Sequence, residues 1–141
     1  MIRKAEAQWN GDLMNGNGTM KLGSGAFEGA YSVKSRMEDG PGTNPEELLG
    51  AAHAGCYSMA LSFMLGNAGH PPKSIHTTAK VHFGPVDGGF AITKIELTTR
   101  AEVPGIDAAA FAEQAENAKK NCPISRALAG TEITLDAQLT H

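Results

Sequence analysis

The sequence lacks the features that mark nucleic-acid-binding, secreted and dinucleotide-binding proteins. It contains no basic run, and a net charge of −3 with a pI near 5.9 gives no electrostatic reason to expect a nucleic acid or an anionic membrane as partner. Residues 1–10 hold no apolar signal-peptide core, so we expect a cytoplasmic protein. The early glycines in GNGTMKLGSG are neither preceded by an apolar strand nor followed by a helix, which excludes the dinucleotide fingerprint.

Cysteine is scarce: the chain has two, Cys56 and Cys122, and no CxxC motif. A zinc site needs four ligands, and His53 with the two cysteines finds no fourth ligand in a recognisable spacing. The residues therefore give no support for a zinc site. In a reducing cytosol two thiols are more often free, metal-binding or catalytic than joined in a permanent disulfide.

A length of 141 residues predicts one domain, residues 1–141, without an internal repeat of 20 to 50 residues. Apolar periodicity and turn residues predict an antiparallel meander of three strands, a long central helix, two strands, a second helix, a helical turn and a final strand. The meander is expected at 1–38 and the long helix at 45–66. The next two strands are expected at 75–83 and 91–103, the second helix at 108–120, the helical turn at 123–129 and the final strand at 132–139. This order of strands and helices indicates the α+β class.

The stretch 43–56, TNPEELLGAAHAGC, predicts the start of the long helix. Asn44 is a suitable N-cap, Pro45 fits the first helical position, and Glu47 stands where a capping-box carboxylate reaches back. An apolar stripe at helical spacing would turn Cys56 towards the core. The stripe comprises Leu49, Ala52, Cys56, Met59 or Ala60, and Phe63.

The same helix is apolar on most of its circumference. Residues 48–65 carry no charge over 18 positions, which is about the length of a membrane span. His53, Tyr57 and two serines interrupt the run, and nothing else in the sequence indicates a membrane protein. We therefore expect a helix that is covered on all sides, with a second copy of the chain against one face.

A cysteine reacts as the thiolate, and its ordinary pKa of about 8.5 must be lowered for it to ionise at neutral pH. Cys56 lies about three turns into its helix, too deep for strong help from the helix dipole. Arg36, predicted at the end of the third strand, is the candidate cation. Glu46, ten positions before Cys56, could hold the planar guanidinium over the sulfur.

Simpler interpretations of these residues remain open from composition and spacing. Both cysteines could be ordinary core residues, Arg36 a surface charge, and Glu46 a first-turn carboxylate that favours the helix dipole. Cys122, just before a proline, lies at a predicted helix start, where backbone N–H groups favour a thiolate. His53 is better explained as a hydrogen-bonded histidine inside the helix packing than as a base or a metal ligand.

The motifs TNPEELLGAAHAGCYSMAL, NCPISRAL and EITLDAQL, with Cys122 placed 66 positions after Cys56, resemble the OsmC/Ohr superfamily. The resemblance extends from AQWNGDL through FAITKIEL and VPGIDA, and His53 in HAGC favours the osmotically inducible protein C branch. It implies an OsmC-like fold, an intertwined homodimer with active sites at the subunit interface, and a thiol-dependent peroxidase. Such an enzyme reduces organic hydroperoxides to alcohols in the response to oxidative or osmotic stress.

The resemblance also implies the roles of four residues. Cys56 would be the peroxidatic cysteine, Cys122 the resolving one, and Arg36 with Glu46 the activating pair. An external dithiol would reduce the resulting disulfide, without a metal or cofactor. The alternative is a non-enzymatic dimeric binding protein for an apolar ligand, with cysteines that merely line its cavity, and a metal-binding stress protein is a third possibility.

Overall fold

The computed structural model describes residues 1–140, which form two compact units, Met1–Leu48 and the residues from Leu49 onwards. Along these residues the elements are β1 (Ala5–Asn10), β2 (Asn17–Leu22), β3 (Glu28–Tyr31), α1 (Val33–Met37), α2 (Pro45–Asn67), β4 (Ser74–Val86), β5 (Gly89–Glu102), α3 (Ala108–Asn121), α4 (Pro123–Ala127) and β6 (Glu132–Thr140). The predicted α+β class is confirmed. The single-domain organisation stays a prediction.

The first unit contains the expected antiparallel meander, with strand order β1-β2-β3. Its third strand, however, ends at Tyr31, and Arg36 lies on helix α1 instead of at a strand end. The cause is local, because Ser32 and Ser35 form a capping box. The Ser32 hydroxyl accepts from the Ser35 amide at 3.2 Å, and the Ser35 hydroxyl accepts from the Ser32 amide at 2.8 Å. Two satisfied amides thus favour a helical turn over a longer strand.

Helix α2 begins as predicted, at Pro45 after the N-cap Asn44. The Asn44 side-chain oxygen accepts from the Glu47 amide at 2.8 Å. The predicted return contact of a capping box is wrong, because the Glu47 carboxylate accepts from the Thr43 hydroxyl at 2.9 Å instead. The Asn44 side-chain amide also donates to the Ser35 carbonyl at 3.1 Å, which ties the start of α2 to α1.

The second unit contains a sheet with strand order β4-β5-β6, in which β4 is antiparallel and β6 parallel to β5. The predicted strands at 75–83, 91–103 and 132–139 are confirmed. Strands β4 and β5 form a hairpin whose turn consists of Asp87 and Gly88. Gly88 and Gly89 have φ values of 87° and 147°, a region that favours glycine. Helices α3 and α4 lie between β5 and β6 in the sequence and provide the crossover that parallel strands need.

The core of the second unit combines α2, β5 and α3, but α2 buries a different stripe from the predicted one. Its completely buried side chains follow one another at i, i+4 spacing: His53, Tyr57, Leu61 and Leu65. Met59 and Phe63 are 77% and 68% exposed, and Cys56 is half-buried. A helix that is apolar on nearly all sides gives no periodic signal to choose between stripes. The polar His53 and Tyr57 are buried because each finds a hydrogen-bond partner.

Helix α2 is long and apolar enough to cross a membrane, with a mean hydropathy of 1.4 over 18 residues. The core helix of a globular protein meets the same criterion, so length and composition alone do not make α2 a membrane span.

Candidate active site

The fold brings the two cysteines into contact. Cys56 lies about three turns into α2, and Cys122 lies where α3 ends and α4 begins. Their sulfur atoms are 2.9 Å apart, within hydrogen-bond distance, and both cysteines are free. A disulfide would have an S–S length of about 2.05 Å. The two sulfurs are therefore neighbours that are not bonded to each other, with Cys122 completely buried and Cys56 half-buried.

Cys122 owes its position to the proline that follows it. Pro123 has no N–H and cannot continue α3, but it fits the first position of the next helix, so the chain turns at Cys122. The backbone amide of Ile124, in the first turn of α4, lowers the pKa of Cys56 and so favours its thiolate. The expectation that the amides at this helix start favour a Cys122 thiolate stays a prediction. The effect of the Ile124 amide on Cys56 was not expected from the sequence, and the proline after Cys122 was the available signal.

The environment of Cys56 in this unit favours the neutral thiol overall. Burial raises the pKa of Cys56, the neighbouring Cys122 raises it further, and the Ile124 amide lowers it by less. The pKa of Cys56 therefore lies above its ordinary value. A peroxidatic role thus requires a cation to stabilise the thiolate.

His53 is hydrogen-bonded inside the core, as the sequence interpretation expected. Its Nε2 lies 2.7 Å from the Ser125 hydroxyl, while its Nδ1 is buried and has no hydrogen-bond partner among residues 1–140. Burial lowers the pKa of His53, so the imidazole is neutral at pH 7. Sequence analysis did not single out Ser125. Among the described residues, no group of three or more His, Cys, Asp or Glu side chains is arranged to hold a metal ion.

Tyr57, next to Cys56 in the chain, has a structural role that its sequence position did not reveal. Its side chain is completely buried, and its hydroxyl donates to the Ala115 carbonyl of α3 at 3.2 Å. Burial raises the pKa of Tyr57, so the hydroxyl stays protonated and anchors α2 to α3.

In the first unit, Arg36 and Glu46 form the ion pair that the sequence indicated. Arg36 Nε donates to both carboxylate oxygens, at 3.1 and 3.2 Å, and Nη2 donates to Oε1 at 2.6 Å. Glu46 is 8% exposed, whereas the Arg36 side chain is 38% exposed. A planar guanidinium held by three hydrogen bonds has a fixed direction.

Arg36 also borders a small cavity of about 230 Å³ in the first unit. The other lining residues are Trp9, Leu13, Tyr31, Ser32 and Val33. The rings of Trp9 and Tyr31 lie 5.3 Å apart, centroid to centroid, and form an aromatic wall. The guanidinium therefore has mainly apolar neighbours on this side.

Residues 38–137 match the model of the OsmC-like protein family. This chain belongs to that family. The match includes Glu46 and both cysteines, while Arg36 precedes it. The resemblance seen in the motifs is thereby confirmed.

Relatives extend the OsmC-like assignment over nearly the whole chain. Peroxiredoxin OsmC of Escherichia coli K12 is 53% identical over 138 residues, covering 97% of this chain and 96% of its own. The organic hydroperoxide resistance protein of Xanthomonas axonopodis pv. citri is 35% identical over 98 residues, which cover 68% of this chain and 67% of that protein. The crystal structure of an OsmC-like protein from Mycoplasma pneumoniae has a TM-score of 0.79 at 18% identity, covers 100% of this chain and 99% of its own, and shows the same fold.

Proposed function

We propose that this protein is a thiol-dependent peroxidase that reduces organic hydroperoxides to alcohols. The observation that carries the proposal is the 2.9 Å contact between the sulfurs of Cys56 and Cys122 in a chain of the OsmC-like family. The names of two relatives, a peroxiredoxin and an organic hydroperoxide resistance protein, support the same class of reaction.

The first half-reaction takes place at Cys56, the more accessible sulfur of the pair. Its thiolate attacks one oxygen of the hydroperoxide, so that an S–O bond forms and the O–O bond breaks. The other oxygen leaves with the bonding electrons and takes up a proton to give the alcohol. Cys56 is oxidised to a sulfenic acid, and the hydroperoxide is reduced.

The second half-reaction uses Cys122. Its thiol loses a proton and attacks the sulfur of the Cys56 sulfenic acid, the S–S bond forms, and hydroxide leaves to become water. The sulfurs need to approach by less than about 1 Å from their present distance to reach disulfide length. An external dithiol then reduces the disulfide by exchange and is itself oxidised.

Arg36 and Glu46 are proposed as the activating pair. The pKa of Cys56 is raised by burial and by Cys122, so the reaction needs a cation that stabilises the thiolate. The Arg36 guanidinium would supply this charge and would stabilise the negative charge that develops on the leaving oxygen. Glu46 would orient the guanidinium through the three hydrogen bonds described above.

The apolar surfaces favour an organic substrate over hydrogen peroxide. Met59 and Phe63 are exposed on α2, the helix that carries Cys56. These apolar side chains would contact the alkyl or aryl group of an organic hydroperoxide, which hydrogen peroxide lacks. A higher kcat/KM for cumene hydroperoxide than for hydrogen peroxide is expected, and equal values would contradict this selectivity.

A homodimer is part of the proposal. The exposed Met59 and Phe63 belong to the charge-free stretch of α2, and a second copy of the chain would remove these side chains from water. We also propose a cytoplasmic location and a role in the response to oxidative or osmotic stress. Sedimentation equilibrium should give twice the chain mass, and a monomer at micromolar concentration would contradict the dimer.

The direct test of the function is a peroxidase assay with a dithiol reductant. Wild-type protein should consume cumene hydroperoxide catalytically, while Cys56→Ser should be inactive. Cys122→Ser should still form a sulfenic acid on Cys56 that a dione probe can trap. If Cys56→Ser retained wild-type turnover, the cysteines would be cavity-lining residues, as in the alternative of a binding protein for an apolar ligand.

A further inference from the structure

A second side-chain contact connects the same two segments as the cysteine pair. His53 lies three positions before Cys56 on α2, and Ser125 lies three positions after Cys122 at the start of α4. The His53 Nε2 to Ser125 Oγ distance is 2.7 Å, beside the sulfur contact of 2.9 Å. The two contacts therefore lie about one helical turn apart on each side.

This contact is buried and directional. His53 is completely buried, Ser125 is 5% exposed, and the Nδ1 atom of His53 has no hydrogen-bond partner in the described part of the chain. An unsatisfied buried polar atom costs free energy that an apolar side chain at the same position would avoid. A hydrogen bond also fixes distance and direction, which apolar packing alone does less strictly. The contact is thus suited to fix the position of α4 against α2.

Helix α4 depends on such an anchor because it contains only five residues, Pro123–Ala127. A helix this short is not stable by itself and keeps its place through tertiary contacts. The first turn of α4 directly follows Cys122 and carries the Ile124 amide, which lowers the pKa of Cys56. A shift of this turn would move both groups relative to the sulfur of Cys56.

We propose that His53 and Ser125 are positioning residues for disulfide formation. Their hydrogen bond holds the first turn of α4 so that the Cys122 sulfur stays in reach of the Cys56 sulfenic acid. The inference rests on the proposed peroxidase function, since it assigns these residues to its second half-reaction. Neither side chain exchanges protons with the substrate.

The test compares Ser125→Thr with Ser125→Val, two changes of nearly equal shape of which only the first keeps a hydroxyl. One equivalent of cumene hydroperoxide is mixed with the reduced protein, and two rates are measured: loss of the Cys56 thiol to sulfenic acid, and formation of the disulfide. Ser125→Val should form the disulfide about threefold to tenfold more slowly than Ser125→Thr, which corresponds to the loss of one hydrogen bond. The rate of sulfenic acid formation should be the same in both variants.

A double-mutant cycle provides a second measurement if the threonine variant does not fold. His53→Leu and Ser125→Ala should each slow disulfide formation, and the double variant should be no slower than the slower single variant. The longer-lived sulfenic acid should also give more sulfinic acid at excess hydroperoxide, detected by mass spectrometry.

Equal disulfide rates in the threonine and valine variants, or additive effects in the cycle, would overturn the positioning role. A slowing of both half-reactions to the same extent would do so as well, since it indicates a general loss of packing. Measurements on the wild-type protein distinguish failure of the positioning role from failure of the proposed peroxidase function. If the wild type forms neither sulfenic acid nor disulfide, the peroxidase proposal itself is wrong.

Discussion

The ion pair between Arg36 and Glu46 gives the most informative single substitution, Glu46→Gln. Glutamine keeps the shape but removes the charge, and its NH₂ group faces a guanidinium that can only donate. Hydrogen bonds to charged groups contribute about 1.5 to 3 kcal/mol, and the 38% exposure of Arg36 reduces this by solvent screening. We expect a loss of about 1–2 kcal/mol in the free energy of unfolding. Release of the guanidinium should lower kcat/KM roughly tenfold.

Glu47→Gln is the matched control, because Glu47 is also in the first turn of α2. Both substitutions remove a carboxylate that favours the helix dipole, but Glu47 is exposed and bonds the Thr43 hydroxyl instead of an arginine. Urea unfolding can be followed by the fluorescence of Trp9, the single tryptophan of the chain. If both variants lose the same stability and kcat/KM, Glu46 is only a first-turn carboxylate and the activating pair is refuted.

Three further predictions follow from the buried groups of the second unit. Tyr57→Phe loses the hydrogen bond to Ala115 and should reduce stability by about 1 kcal/mol and Tm by about 2–4 °C, whereas an unchanged Tm in calorimetry would contradict this. Because burial lowers the pKa of His53, the unfolded chain binds more protons below about pH 6.5, so the unfolding free energy should fall as pH drops through that range. His53→Leu should flatten this dependence, and an equally steep profile would argue against it. Cys122→Ala removes a neighbour that raises the pKa of Cys56, so iodoacetamide should alkylate Cys56 faster at pH 7, and slower alkylation would contradict the assignment.

Local rules explain which parts of the fold the sequence predicts well. The start of α2 follows from Asn44 and Pro45, and the cap of α3 follows from Asp107, whose side chain accepts from the Ala110 amide. The strands of the second unit alternate clearly and were found with small errors at their ends. In these segments the deciding interactions lie within a few residues of one another.

The errors lie where local patterns are ambiguous or where distant residues meet. The charge-free α2 offers several apolar stripes, so tertiary packing decided that Tyr57 is buried and Phe63 exposed. A serine capping box placed Arg36 on a helix instead of a strand. The contact between His53 and Ser125 joins residues 72 positions apart, and no local spacing rule predicts such a pair.

The central claim is that Cys56 and Cys122 form a peroxide-oxidised pair. The most direct measurement is a peptide map of the reduced protein after one equivalent of cumene hydroperoxide. The account predicts the loss of both free thiols and a disulfide-linked peptide that contains Cys56 and Cys122 from one chain. Retention of both thiols, or oxidation of Cys122 with Cys56 left reduced, would contradict it.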